Sequence, residues 1–141
     1  MTKKAAVIAV AVVLLAGCGG GSGGPVSAPT PAEDLGTVTT GADGVQEVTL
    51  QTQDDYVFTP DHFTVAPGEV RLTVVNVADQ LTHNFNFTEG EGPAAIDSGI
   101  SLLAPGQEMT IDFTVEAPGD YPFECSFHVQ LGQVGTMTVR G

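Results

Sequence analysis

GDYPFECSFHVQLGQVGTMTV, residues 119–139, is the stretch from which the fold is read. Tyr121, Phe123 and Cys125 alternate with Pro122 and Glu124, so three side chains share one face of a strand with period two. Pro118-Gly119-Asp120 is a turn ahead of it, and Thr136-Met137-Thr138-Val139 is a β-prone run behind it. Between the two strands, Cys125-Ser126-Phe127-His128 sets a thiol and an imidazole three residues apart, where the strand gives way to a loop.

The same texture extends upstream. Val48 and Leu50 open a first strand, and Val57, Phe58, Phe63 and Val65 flank a Thr59-Pro60-Asp61 turn. Ala66-Pro67-Gly68-Glu69 turns the chain into the run Val70 to Asn76, and His83-Asn84-Phe85-Asn86-Phe87 alternates again. Met109, Ile111, Phe113 and Val115 alternate with Thr110, Asp112 and Thr114, giving one apolar and one solvated face. No helical period lasts three turns. Residues 45–141 are expected to form an all-β domain, a two-sheet Greek-key β-sandwich of six to eight strands. All seven Phe fall in this stretch and can fill its core without any Trp.

The N-terminus is of another kind. Lys3 and Lys4 precede the apolar run Ala5 to Ala16, too short to span a bilayer, and Leu15-Ala16-Gly17-Cys18 ends it. A charged start, an apolar middle and small residues before a cut describe an export signal over residues 1–17. The Leu-Ala-Gly-Cys ending resembles the lipobox of bacterial lipoproteins, which implies lipidation of Cys18; the other reading is a secreted protein with an incidental cysteine. Residues 18–44, Gly- and Pro-rich without a hydrophobic period, read as a lipid-anchored tether. The expected location is outside the cytoplasm, on the outer face of the cell membrane or the periplasmic side of an envelope membrane.

Composition removes several classes of function. The 141 residues carry 17 acidic against 4 basic side chains, a net charge of −13, which repels nucleic acid. Loss of residues 1–17 would take Lys3 and Lys4 and no acid, deepening −13 to −15. Two cysteines are too few for a disulfide scaffold or a four-thiolate zinc site. With Cys18 assigned to lipid, Cys125 is a lone thiol in an oxidising compartment. It reads either as a small buried hydrophobe or as a metal ligand. His128 and His83, the latter opening a strand after Asp79-Gln80-Leu81-Thr82, can bring two imidazoles to the same end. One thiolate and two imidazoles suit a trigonal blue-copper centre.

Tyr121 to Val139 resembles the last two strands and ligand loop of plastocyanin-like cupredoxins, patterned Y-x-F-x-C-x-x-H, four residues, Met, then V-G-x-V-T-V. His83-Asn84 is similar to the first ligand histidine of that family and its following asparagine, and the likeness covers residues 56–141. It implies one copper ion, cycling between Cu(I) and Cu(II), on His83, Cys125 and His128, with Asn84 tying the ligand loops together. The chain departs from the pattern where the family places its axial methionine, since Gln133 stands there. Stellacyanin-like phytocyanins use a glutamine, which implies that the amide oxygen of Gln133 faces the copper. The other reading is a solvated Gln133 beside three-coordinate copper. Met109 and Met137 read as core filler and His62 as an exposed turn residue.

Such a centre has no open position for substrate or oxygen, so no enzyme is expected. The resemblance implies a single-electron shuttle whose His128 edge is ringed by Phe127, Val129 and Leu131. These three serve either as a docking patch or as ordinary loop packing. The acidic field would steer a basic partner such as a c-type cytochrome or a terminal oxidase, although acidity without lysine also suits high salt. The membrane contact expected is the lipid alone, and the oligomeric state a monomer that docks transiently. A copper carrier serving exported oxidases would use the same ligands. It would be expected to carry Met-rich or His-rich motifs, and the domain has neither. A metal-free adhesion sandwich is the third reading. A two-copper centre is excluded by the single thiol of the ligand loop.

Overall fold

The computed structural model describes residues 32–141. The signal segment, Cys18 and the first part of the tether lie outside the described residues. Among the described residues ten strands, more than the six to eight expected because two of them are only two residues long, form two five-stranded sheets facing each other. The first sheet runs in the order β1 (Thr39–Thr40), β2 (Gln46–Thr52), β5 (Gly68–Asn76) and β8 (Glu108–Val115), with β3 (Phe58–Thr59) also paired to β2. The second runs β4 (His62–Val65), β10 (Val134–Val139), β9 (Gly119–Glu124), β6 (His83–Phe87), β7 (Gly99–Leu103). Both sheets are mixed: β2 lies parallel to β5 and β4 parallel to β10, while the other pairs are antiparallel. The all-β sandwich is as expected.

Alternation in the sequence becomes burial. On β2 the residues Gln46, Val48, Leu50 and Thr52 point inward, and on β5 Val70, Leu72, Val74 and Asn76 do so. Leu50 pairs with Val74, so adjacent strands present apolar side chains at the same level. Phe123 of β9 is the centre of the opposing layer, with ring centroids 5.3 Å from Phe58, 5.8 Å from Phe63 and 5.0 Å from Phe85. Each such ring taken from water stabilises the fold by about 1.5–3 kcal/mol. Tyr121 is buried in the same layer while its hydroxyl donates to the Ala117 carbonyl at 2.8 Å, which satisfies its polar tip.

Two further details differ from the sequence reading. The sandwich takes in residues ahead of Val45: Gly36 N–H donates to Thr49 O at 2.8 Å, β1 pairs with β2, and Val38 packs on the core. The stretch assigned to the tether therefore supplies an edge to the first sheet. Met137 is fully buried, but Met109 is exposed, as it opens β8, an edge strand whose first half is largely uncovered. Phe127 lies at the surface, as the docking-patch reading expects, while Phe58, Phe63, Phe85, Phe113 and Phe123 are buried and Phe87 packs against them. His62 is exposed, as expected.

Candidate metal centre

The topology gathers the chemistry at one end. β6 and β9 are antiparallel neighbours, with Asn86 opposite Glu124, so the start of β6 lies beside the end of β9. His83 opens β6, Cys125 follows β9, and Gln133 immediately precedes β10. Asn84 holds the two ligand loops together. Its Oδ1 accepts from Ser126 N–H at 2.8 Å, its Nδ2 donates to Ser126 Oγ at 2.6 Å, and its backbone N–H points at Cys125 Sγ at 3.4 Å. A hydrogen bond to sulfur stabilises the thiolate, the form that binds metal.

The loop from Cys125 to Gln133 is closed on itself. Cys125 N–H donates to Gln133 O at 3.0 Å, His128 N–H to Cys125 O at 3.0 Å, and Leu131 N–H to His128 O at 2.8 Å. Val129–Leu131 form a single 3₁₀ turn, capped by Gly132 at φ +91°, a left-handed conformation that glycine adopts without penalty. This winding turns His128 back over Cys125.

His83, Cys125 and His128 place their ligating atoms within 4.8 Å of one another. Cys125 Sγ lies 4.0 Å from His83 Nδ1 and 3.5 Å from His128 Nδ1. Nitrogen and sulfur ligands at typical bond lengths of about 2.0 and 2.3 Å, 120° apart on one ion, would be separated by about 3.7 Å. Gln133 Oε1 lies 2.9 Å from His83 Nδ1 and 3.0 Å from His128 Nδ1. His83, Cys125 and Gln133 are fully buried, and His128 is half-exposed.

The tautomer of His83 makes this a test of fit. Its Nε2 sits 3.0 Å from the Gln53 carbonyl, which can only accept, so Nε2 carries the hydrogen. Burial, the largest influence, pushes the imidazole below the ordinary histidine range, which favours the neutral ring and, with the hydrogen on Nε2, a lone pair on Nδ1. That lone pair faces an amide oxygen. Electron donors aimed at a shared point are stabilised by a cation between them, and thiolate, imidazole and amide oxygen suit copper.

Several contributors carry little signal in the sequence. Gln53 acts through its carbonyl and Thr52 through a hydroxyl bonded to Gln133 Nε2 at 2.7 Å, both across long chain separations. Asp54 accepts from the N–H groups of Asp79, Gln80 and Leu81 at 2.7, 3.2 and 2.9 Å, fixing the loop that leads to His83. Tyr56, with φ +57°, is the one non-glycine at positive φ among the described residues. Its ring lies 5.0 Å from the His128 ring, and the Phe127 ring lies 6.4 Å away. The Asp54-Asp55 pair is a turn signal, the one hint available beforehand. Of the expected surface residues, Phe127 and Leu131 are 51% and 59% exposed, and Val129 is half-buried.

Comparison with known proteins agrees with this geometry. The family model described as copper binding proteins, plastocyanin/azurin family, matches residues 45–140. A plastocyanin of Cucumis sativus is 43% identical over 90 residues, spanning 59% of this chain and 87% of that protein. The chloroplastic plastocyanin minor isoform of Arabidopsis thaliana is 39% identical over 100 residues. That match covers 67% of this chain and 57% of the relative, so the chain spans just over half of its length. The crystal structure of dithionite-reduced auracyanin from Roseiflexus castenholzii is similar at a TM-score of 0.59 and 26% identity, covering 67% of this chain and 97% of that one.

Proposed function

The chain belongs to the plastocyanin/azurin family of copper-binding proteins, and on that premise we propose a lipid-anchored, extracytoplasmic carrier that passes single electrons between redox proteins. Family membership makes it a plastocyanin-like copper electron carrier, not an enzyme. The anchor through Cys18, the compartment, the partners and the axial role of Gln133 are the finer parts of the proposal.

Copper supplies the change between Cu(I) and Cu(II). The residues that would hold it are His83 and His128 through Nδ1, Cys125 through Sγ and Gln133 through Oε1. The observation that carries the reading is the convergence of these four atoms in a site where three of the four side chains are fully buried. Asn84 and the closed loop hold the thiolate and imidazoles in place, so little has to move when the charge at the centre changes. The buried side chains exclude water. Among these four, His128 alone reaches the surface, where the Phe127 ring lies 6.4 Å from its own and Val129 and Leu131 follow in the same loop, and we read these three as a weakly hydrated face for a partner. A c-type cytochrome or a terminal oxidase with a basic rim fits the acidic chain.

The copper-carrier reading is disfavoured by the same burial, because ion release would require the Cys125–Gln133 loop to open. Titration of the purified chain with Cu(II) should give an intense blue colour that Cys125→Ser abolishes. A colourless wild type would overturn copper electron transfer. Rapid chelator extraction of the copper, within minutes, would favour the carrier. An amide oxygen is a harder donor than a thioether, so Gln133→Met should raise the reduction potential; an unchanged or lower value would remove Gln133 from the axial position. Cys18→Ser should release the protein from the membrane fraction.

A further inference from the structure

We propose that Thr52 is a positioning residue that, with the Val57 carbonyl, seats the NH₂ end of the Gln133 amide and so turns its oxygen end toward the metal, an inference that rests on the axial reading of Gln133. A primary amide is nearly symmetric in shape, and its two ends differ in chemistry alone: one oxygen that accepts, one nitrogen that donates twice. Whichever end faces the imidazoles is set by what holds the other end. Gln133 Nε2 lies 2.7 Å from Thr52 Oγ1 and 3.5 Å from the Val57 carbonyl oxygen. The carbonyl can only accept and so sets which end of the amide faces it, while the hydroxyl, able to donate or accept, makes the shorter bond and anchors the NH₂ group in that seat. Turned by 180°, the amide would set Oε1 against the Val57 carbonyl and aim its hydrogens at Nδ1 of His83 and of His128, the atoms that would hold the metal.

The position of Thr52 supports a dedicated role. It ends β2, whose other inward residues include Val48 and Leu50, and it is itself fully buried. Valine has nearly the same shape and would fill the site without bringing a hydroxyl out of water, which costs free energy unless the group is bonded. Among the described residues the one side-chain hydrogen bond of Thr52 is the bond to Gln133, 81 positions away. The hydroxyl is therefore explained by the amide it holds. Through it the first sheet, which supplies none of the four candidate ligands, fixes the chemistry of a site built on the second.

The test uses the full chain loaded with copper and reads the reduction potential and the copper hyperfine pattern in electron paramagnetic resonance. Thr52→Val should raise the potential toward that of Gln133→Leu and change the hyperfine pattern, and Thr52→Ser should restore both. In the Gln133→Leu background Thr52→Val should add nothing, since the amide through which it acts is gone. Wild-type values in Thr52→Val, while Gln133→Leu moves them, would overturn the role of Thr52 and leave the axial reading standing. An equal shift in both backgrounds would also overturn it, by assigning the effect to packing. No shift in Gln133→Leu alone would end the axial reading and this inference together. If Thr52→Val does not fold, Thr52→Ala read against Thr52→Ser makes the same comparison.

Discussion

Asp54 touches none of the ligand side chains, yet it fixes the approach to one of them. Its carboxylate gathers the N–H groups of Asp79, Gln80 and Leu81, and the bond from Asp79 is the largest influence holding its pKa below the usual carboxylate range. The ionised form is therefore favoured in the folded chain. Its contribution to stability is present above the unfolded-state pKa of about 3.9 and is lost as pH falls through the lower folded value. Asp54→Asn is expected to be less stable than the wild type at pH 6, with the difference shrinking toward pH 3; denaturation at the two pH values measures this. A constant difference would mean that the side chain acts through shape and not through charge. Tyr56 shows a related economy. Its αL backbone costs about 1–2 kcal/mol for a residue with a Cβ, and its ring lies beside the His128 ring.

β10 joins the site to the core, and Gly135 lets it do so. Gly135 pairs with Phe123, and a Cβ there would collide with the Phe123 ring and the Asp61 carbonyl oxygen. Gly135→Ala should destabilise the fold by about 1–3 kcal/mol, read from urea denaturation, because neither neighbour can retreat without disturbing the aromatic cluster. A variant as stable as the wild type would show that β10 can shift. The strands legible in the sequence are those, like β2, β5 and β9, whose alternation runs long enough to declare a buried face. β1 is two residues inside a Gly-rich stretch, too short for any period to register. His83, Cys125 and His128, which the fold brings together, were legible from residue type, spacing and the family resemblance, and Gln133 was singled out by that resemblance alone. Thr52, Gln53 and Asp54 were not, since they act across sheets through a hydroxyl, a carbonyl and a turn, and such pairings arise only from folding.

The whole molecule carries a charge of −13 over its sequence, and a field of this size reaches beyond any one contact. Association with a basic redox protein should slow by roughly tenfold or more as salt rises from low ionic strength to a Debye length of about 8 Å. Stopped-flow rates across that range measure it; a rate indifferent to salt would assign the acidity to solubility instead. The single half-exposed ligand edge has a consequence for kinetics. If His128 is the one opening, donor and acceptor must use it in turn, and no ternary complex can form. Turnover would then follow an alternating scheme in which each partner competes with the other, and a partner that stayed bound too long would act as an inhibitor. Natural selection on this surface would accordingly favour short residence over tight binding.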